Sequence, residues 1–288
     1  MQMDQLRVQA LTFWGVRGSI ATPKPENLGY GGNTSCLEIR GAGNEIAIFD
    51  AGTGIRNLGE ALLRQSQERG LKLHIFLTHY HWDHIQGLPL FAPLYRADTE
   101  IIIHASEQLG SIQQHLRGQM NAPYFPVKFD DIPARLRFVE MDRQSVPVGH
   151  LRVSGFPMNH PQGASGFRIE SPAGVIVYAS DVEPGHAELD RVVREAASGA
   201  DTLVYDTQYS PEEYLTHRGW GHSHWREAAA VAQDAQVKEL ILFHHDPSHN
   251  DGMVTQMQNQ TRALFEPTTA AKEGMVREYP RRPDRARP

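Results

Sequence analysis

The chain has a single cysteine, Cys36, among its 288 residues. No internal disulfide can form, which excludes the disulfide frameworks of small secreted domains. No apolar run reaches the ~18 residues that a membrane-spanning helix needs, so no membrane association is expected. The N-terminus MQMDQLRVQALTFW lacks a basic segment followed by an apolar one and does not read as a secretory leader. A cytoplasmic location is the simplest expectation. Positive charge is also scarce: 28 Lys and Arg stand against 34 Asp and Glu, a net charge of −6. The broad basic surface of a nucleic-acid binder is not suggested, which argues against nucleic acid as a partner. Repeats of fixed period and low-complexity linkers are missing as well.

Hydrophobic residues at 40% and charged residues at 22% are enough for a packed core. Short β-rich runs dominate the first quarter: Val8–Trp14, Thr34–Arg40 and Glu45–Asp50, bounded by glycine loops. Apolar residues at helical spacing predict a helix over Ile55–Gly70, and Lys72–Thr78 reads as an apolar strand. The second half alternates similar strands with the helical stretches PGHAELDRVVREAASG and HSHWREAAAVAQDA. Sheets covered by helices in one α/β domain are expected over residues 1–270. Residues 271–288, which include REYPRRPDRARP, read as a frayed tail. The stretch Arg117–Asp131, with three aromatics and two prolines, fits neither pattern and is a candidate lid.

Histidine is abundant at 15 residues, and FLTHYHWDHIQG (Phe76–Gly87) concentrates it. His79, His81, Asp83 and His84 crowd into six positions where a strand ends and a helix could start. An extended turn can send two imidazoles one way and the following pair another, so one turn could serve two metals. Neutral imidazole and carboxylate suit Zn²⁺, Mn²⁺ or Fe. A purely structural role would bury or solvate four polar groups for no gain.

The H-x-H-x-D-H spacing resembles the metallo-β-lactamase superfamily, and the resemblance runs over most of the chain. It implies a four-layered αββα sandwich of two mixed sheets flanked by helices. It also implies further ligands in order after later strands: His160 in FPMNHP, Asp181 in YASDVE, and His244 in LILFHHDP with His245 as fallback. By that resemblance one metal takes His79, His81 and His160, the other takes Asp83, His84 and His244, and Asp181 bridges them. Asp83 counts both as ligand and as part of the catalytic machinery. Asp50, in FDAGTG, would support an imidazole from behind. Two divalent cations, Zn²⁺ or Mn²⁺ with Fe also compatible, would generate a metal-bridging hydroxide as nucleophile. Cys36, in a strand without a basic partner, reads as a buried apolar group.

The stretches LVYDTQY and GWGHSHW further resemble ribonuclease Z and its phosphodiesterase relatives, and LTHYH-x-DH-x-QG resembles the phosphonate-pathway cyclic phosphodiesterase. In those relatives an acidic residue orients a histidine that protonates the leaving oxygen. Here the pair would be Asp206 and His222, with Asp standing where ribonuclease Z has Glu. Departing alkoxides need that proton. The competing role for the GHS stretch is helix capping, with Ser223 as cap. The implied activity is a dinuclear phosphodiesterase acting on a small cyclic or nucleotide phosphodiester. The chain has no inserted arm to grip tRNA. Arg17, Asn33 and Tyr124 are candidate substrate contacts. A lactonase or thioester hydrolase on the same metals, and a non-hydrolytic di-iron oxygen or redox module, are the competing functions. A homodimer is carried over from the relatives.

Overall fold

The computed structural model describes residues 9–66, 69–141 and 145–280. The chain first lays down β1 (Gln9–Gly15), β2 (Cys36–Arg40), β3 (Ile46–Phe49), helix α1 (Gly54–Ser66), β4 (Lys72–Phe76), the single-turn α2 (Trp82–Ile85), β5 (Glu100–Ser106), α3 (Ile112–Gln119) and β6 (Arg135–Met141). It continues through β7 (Val146–Val148), β8 (Leu151–Met158), β9 (Ala164–Ser171), β10 (Gly174–Ala179), α4 (Ala187–Ala197) and β11 (Thr202–Asp206). The last elements are α5 (Pro211–Tyr214), α6 (Trp225–Asp234), β12 (Glu239–Phe243), α7 (Asp251–Arg262), β13 (Thr268–Ala270) and β14 (Val276–Tyr279).

Two seven-stranded sheets result, ordered β14-β1-β2-β3-β4-β5-β6 and β13-β12-β11-β10-β9-β8-β7. Each is mixed in the same way. Neighbours from β14 to β3 and from β7 to β10 are antiparallel, whereas β3 to β6 and β10 to β13 are parallel. Side-chain alternation explains the layering. In β12, Ile241 and Phe243 face the opposite sheet, where they meet Phe13, Phe49 and Phe76 in the central core. Leu240 and Leu242 point outward to Ala228, Val231 and Val254 of α6 and α7. On the far side, Leu73, Ile75, Ile101 and Ile103 pack under Ile55, Leu58 and Leu62 of α1 and Leu116 of α3. The expected αββα sandwich is the observed fold.

Residues 276–279 do not belong to a loose tail. They form β14, with Val276–Tyr279 paired antiparallel to Gln9–Thr12 of β1 and the Tyr279 hydroxyl 2.7 Å from Thr202 Oγ1. The domain therefore extends past residue 270: Tyr279 closes the sheet edge against the core, and basic composition hid that pairing. Residues 281–288 lie outside the described residues, as do Val8 and residues 67–68 of the predicted first strand and helix. The candidate lid is anchored at both ends, since Met120 and Phe129 are buried in the core beneath α3. Among the described residues no helix is long and apolar enough to cross a membrane.

The parallel strands decide where the chemistry can sit. Their carboxyl ends converge on one edge of the sandwich, the usual crevice of open α/β sheets. Asp50 follows β3, His79 follows β4, Asp181 follows β10, Asp206 ends β11 and His244 follows β12. Met158, the last residue of β8, brings His160 to the same edge.

Candidate metal centre

The motif after β4 separates its ligands by a change of backbone. His81, with φ −61 and ψ 149, is extended and is the N-cap of α2, which then carries Asp83 and His84. Besides an overlapping group of Asp181, Asp206, His222 and His244, two sets of donor atoms result, each within 4.8 Å of one another: His79, His81 and His160 in one, and Asp83, His84, Asp181 and His244 in the other. Asp181 stands between them. Its Oδ1 lies 3.9 Å from both His79 Nε2 and His160 Nε2, whereas Oδ2 lies 3.0 Å from His84 Nε2 and 3.4 Å from His244 Nε2. One carboxylate oxygen faces each set.

Each imidazole turns one nitrogen to the centre because the other is engaged. His84 Nδ1 donates to Asp50 Oδ2 at 2.8 Å, His160 Nδ1 to the Gly221 carbonyl at 2.8 Å, His244 Nδ1 to Gln208 Oε1 at 3.0 Å, and His81 Nε2 to Gln162 Oε1 at 2.9 Å. His79 Nδ1 lies 3.0 Å from the Thr78 hydroxyl. These outer partners orient the rings so that Nε2 of His79, His84, His160 and His244, and Nδ1 of His81, face the centre. Asp50 has the support role expected of it: its carboxylate also accepts from the Thr78 amide and hydroxyl and from Tyr178.

The centre fits cations on two counts. His79 Nε2 is buried without any hydrogen-bond partner, an arrangement that costs free energy unless something fills it. Burial, with the neighbouring His84 adding to it, holds His79 well below the usual histidine range, so it offers a neutral lone pair. The electrostatics of the second set are the opposite. Burial pushes His84 down, but Asp181, Asp83 and Asp50 outweigh it and hold His84 well above its ordinary range. Burial likewise opposes ionisation of Asp181, yet His244 and His84 keep its carboxyl well below the carboxylate range. The pocket wants positive charge. Asp50, Asp181 and His244 also adopt positive φ of 62, 63 and 62 degrees, conformations costing about 1–3 kcal/mol each that a fold retains where geometry demands them.

Asp206 and His222 meet beside the second set. His222 Nδ1 lies 2.9 Å from Asp206 Oδ2, and the His222 ring sits 5.4 Å from His160 and 5.0 Å from His244. Burial lowers the His222 pKa, but the Asp206 charge and hydrogen bond overcome it and raise the value to about 9. Asp206 also accepts from the amides of Asp181 (3.0 Å) and Gln208 (2.9 Å), so its oxygens are occupied and it is poorly placed to bind an ion directly. Ser223 is not the helix cap. His224 is, its ring accepting from the Glu227 amide at 3.2 Å.

The two adjacent histidines that follow β12 part company. His244 reaches Asp83 Oδ2 at 3.2 Å, whereas His245 turns away to the Ala271 carbonyl at 2.8 Å, where burial drives its pKa down to about 3. The predicted substrate contacts are placed elsewhere. Arg17 is fully buried and its guanidinium donates to the carbonyls of Gly31, Asp246 and His249 at 2.8, 3.1 and 2.6 Å. It ties loops together and has no surface for substrate. Asn33 is held by Glu273 through its amide and its side chain, at 2.6 and 3.0 Å. Tyr124 is 81% exposed and, like the rest of Arg117–Asp131, lines neither of the two clefts beside the His79 set.

Those clefts, of about 280 and 330 Å³, share Leu109, Gln162 and Gly163. His115, read from the sequence as an ordinary histidine, lines the smaller one and stacks on Tyr80 at 4.4 Å. Gln162, Gln208 and the Ser19 amide, which donates to Asp83 Oδ2 at 2.7 Å, are further contacts to the centre that sequence reading missed. Nothing in a lone Gln or Ser distinguishes it from surface polarity before folding.

A family profile described as the β-lactamase superfamily domain matches residues 47–245, which contain the whole cluster from Asp50 to His244. The chain belongs to the β-lactamase superfamily. Within it, Ribonuclease Z of Haloarcula marismortui is 25% identical over 94% of this chain and 97% of its own length. The metallo-β-lactamase fold protein YhfI from Bacillus subtilis shares the fold at a TM-score of 0.72 and 18% identity, over 94% of this chain and 99% of that one. A structure titled a new diphosphatase from the PhnP family matches at a TM-score of 0.68 and 17% identity, over 94% and 98% of the two chains.

Proposed function

We propose that this superfamily member is a metal-dependent phosphodiesterase with two divalent cations, one held by His79, His81 and His160 and the other by Asp83, His84 and His244, with Asp181 shared. The observation that carries this reading is the split orientation of the Asp181 carboxylate, one oxygen toward each set. Histidine nitrogens and carboxylates are the donors Zn²⁺, Mn²⁺ and Fe accept. Bound there, two cations would bring the pKa of a shared water down to roughly 7 and offset the charge of a phosphodiester.

The chain's own groups do the rest. Thr78, Asp50, Gly221, Gln208 and Gln162 hold the imidazoles with their lone pairs inward. Asp206 accepts from His222 Nδ1 and favours the protonated ring. The opposite ring nitrogen then supplies a proton to the departing oxygen, the step that poor leaving groups require. A thioesterase expels a thiolate, whose conjugate acid has a pKa of only about 8.5, and has less need of such an acid.

The substrate is a nucleotide-containing phosphodiester, small and cyclic or within a chain. The net charge of −6 does not set RNA aside, because the relatives of similar length bear the name ribonuclease Z. A panel of bis(4-nitrophenyl) phosphate, a cyclic nucleotide, a short oligoribonucleotide, a lactone and a thioester tests the reading. Phosphodiesters should be cleaved and a chelator should stop cleavage. Faster turnover of the lactone or thioester would overturn the proposal.

A further inference from the structure

An exposed tryptophan is ordinary, but a rigidly braced one beside a candidate acid is not. Trp220 is 61% exposed and lies two residues before His222. Its backbone is clamped from both sides. The buried Glu183 carboxylate accepts the Gly219 amide at 2.6 Å and the Gly221 amide at 2.8 Å. Glu183 is itself fixed, its amide donating to the Asn159 carbonyl at 2.8 Å and its carbonyl accepting from the Asn159 side chain at 2.9 Å. Both glycines have positive φ, 85 and 89 degrees, and a Cβ at Gly221 would fall 2.2 Å from His160 Nδ1. The turn is therefore built in one conformation, with its 221 carbonyl on a histidine of the metal centre.

The indole ring is braced as well. Its edge-on neighbour is His217 at 4.8 Å, and His217 is stacked on Tyr209 at 4.7 Å. Tyr209 in turn lies 6.0 Å from the His222 ring. A short aromatic ladder thus runs outward from the candidate acid and ends in a free indole surface. Preorganised aromatic surfaces of this kind bind planar groups with little loss of side-chain freedom.

We propose that Trp220, clamped by Glu183, is a stacking platform for a nucleobase joined to the phosphate that the metal centre receives. This deepens the phosphodiesterase reading and rests on it for the position of the phosphate. One molecule must reach both the centre and the platform, and among phosphates with a planar aromatic group a nucleotide is the class that the proposed phosphodiesterase reading supplies.

The test uses metal-replete full-length protein, adenosine 5′-monophosphate and ribose 5-phosphate, with binding read by tryptophan fluorescence and by calorimetry. Adenosine 5′-monophosphate should quench the fluorescence and bind about tenfold more tightly than ribose 5-phosphate. Trp220→Ala should abolish that preference and leave ribose 5-phosphate binding unchanged, and Trp220→Phe should retain the preference. Trp220→Leu replaces the alanine variant should that one fail to melt cooperatively. Equal binding of the two ligands to the wild type, or a preference surviving Trp220→Ala or Trp220→Leu, overturns the platform. Hydrolysis of bis(4-nitrophenyl) phosphate by the same samples keeps the two ideas apart: cleavage without base preference defeats the platform alone, and base preference without cleavage defeats the phosphodiesterase alone.

Discussion

Asp206 accepts the backbone N–H of Asp181 at 3.0 Å on the same Oδ2 atom that receives His222 Nδ1 at 2.9 Å. One buried carboxylate thereby sets the position of the shared ligand loop and of the candidate acid together. On the proposed reading, proton delivery by His222 and metal holding by Asp181 are linked through this one carboxylate.

His222→Ala should therefore leave metal content intact and slow cleavage selectively. For a diester with an alkoxide leaving group, kcat should fall about 10²–10⁴-fold, the usual worth of general acid catalysis, while nitrophenyl esters lose far less. A plot of rate against leaving-group pKa measures the difference. Parallel losses across the series would remove His222 from proton transfer.

Asp50→Asn should weaken the second metal without unfolding the chain. The Asp50 carboxylate receives His84 Nδ1, the Thr78 amide and hydroxyl, and the Tyr178 hydroxyl. An amide cannot accept them all, and loss of such outer support typically lowers metal affinity about 10–100-fold. Competition against a graded chelator reads the change, and unaltered affinity would mean His84 is held by other contacts.

The sequence carried the local and ordered parts of this site and hid the rest. His79, His81, Asp83 and His84 share one turn and stand out as a cluster, whereas His160, Asp181 and His244 are picked out by the resemblance to the metallo-β-lactamase superfamily. Arg17 misled because a charged residue in a glycine loop reads as exposed. Its burial depends on carbonyls from Gly31, Asp246 and His249, two of them more than 220 positions away in sequence. Glu183, Gln162 and Gln208 matter only through hydrogen bonds that exist once the strand ends converge. At the fold level, the apolar run of β12 was readable, but β14 was not, because Val276–Tyr279 has too little apolar content to reveal an edge strand.

Gly221→Ala should damage the first metal set. The new methyl would meet the His160 ring in a backbone conformation with φ of 89 degrees, which costs an L residue about 1–2 kcal/mol even before the clash. A lowered melting temperature together with loss of one metal per chain is the expected result. A variant with full metal content and unchanged melting would show that the turn is more pliable than the Glu183 clamp implies.

Away from the metals, His104 should make the fold acid-sensitive. Its ring is stacked on Phe76 at 4.3 Å, and burial lowers its pKa to about 3. The folded state keeps it neutral, whereas the unfolded chain takes up a proton below about pH 6.5. Its contribution is thus complete above that value and is lost as pH falls from about 6.5 toward 3. Urea midpoints of wild type and His104→Gln should converge as pH drops from 7.5 to 4.5, taking these as roughly the ends of a practical range for the linkage. A constant difference between them would contradict the assignment.

The most direct test is the number and location of bound ions in metal-replete protein, by elemental analysis and anomalous scattering. The expected result is two ions per chain, one on each side of Asp181, falling to one or none in Asp181→Ala. A single ion in the wild type, or two ions lying together outside the His79 and His84 sets, would contradict a shared carboxylate and the phosphodiesterase built on it.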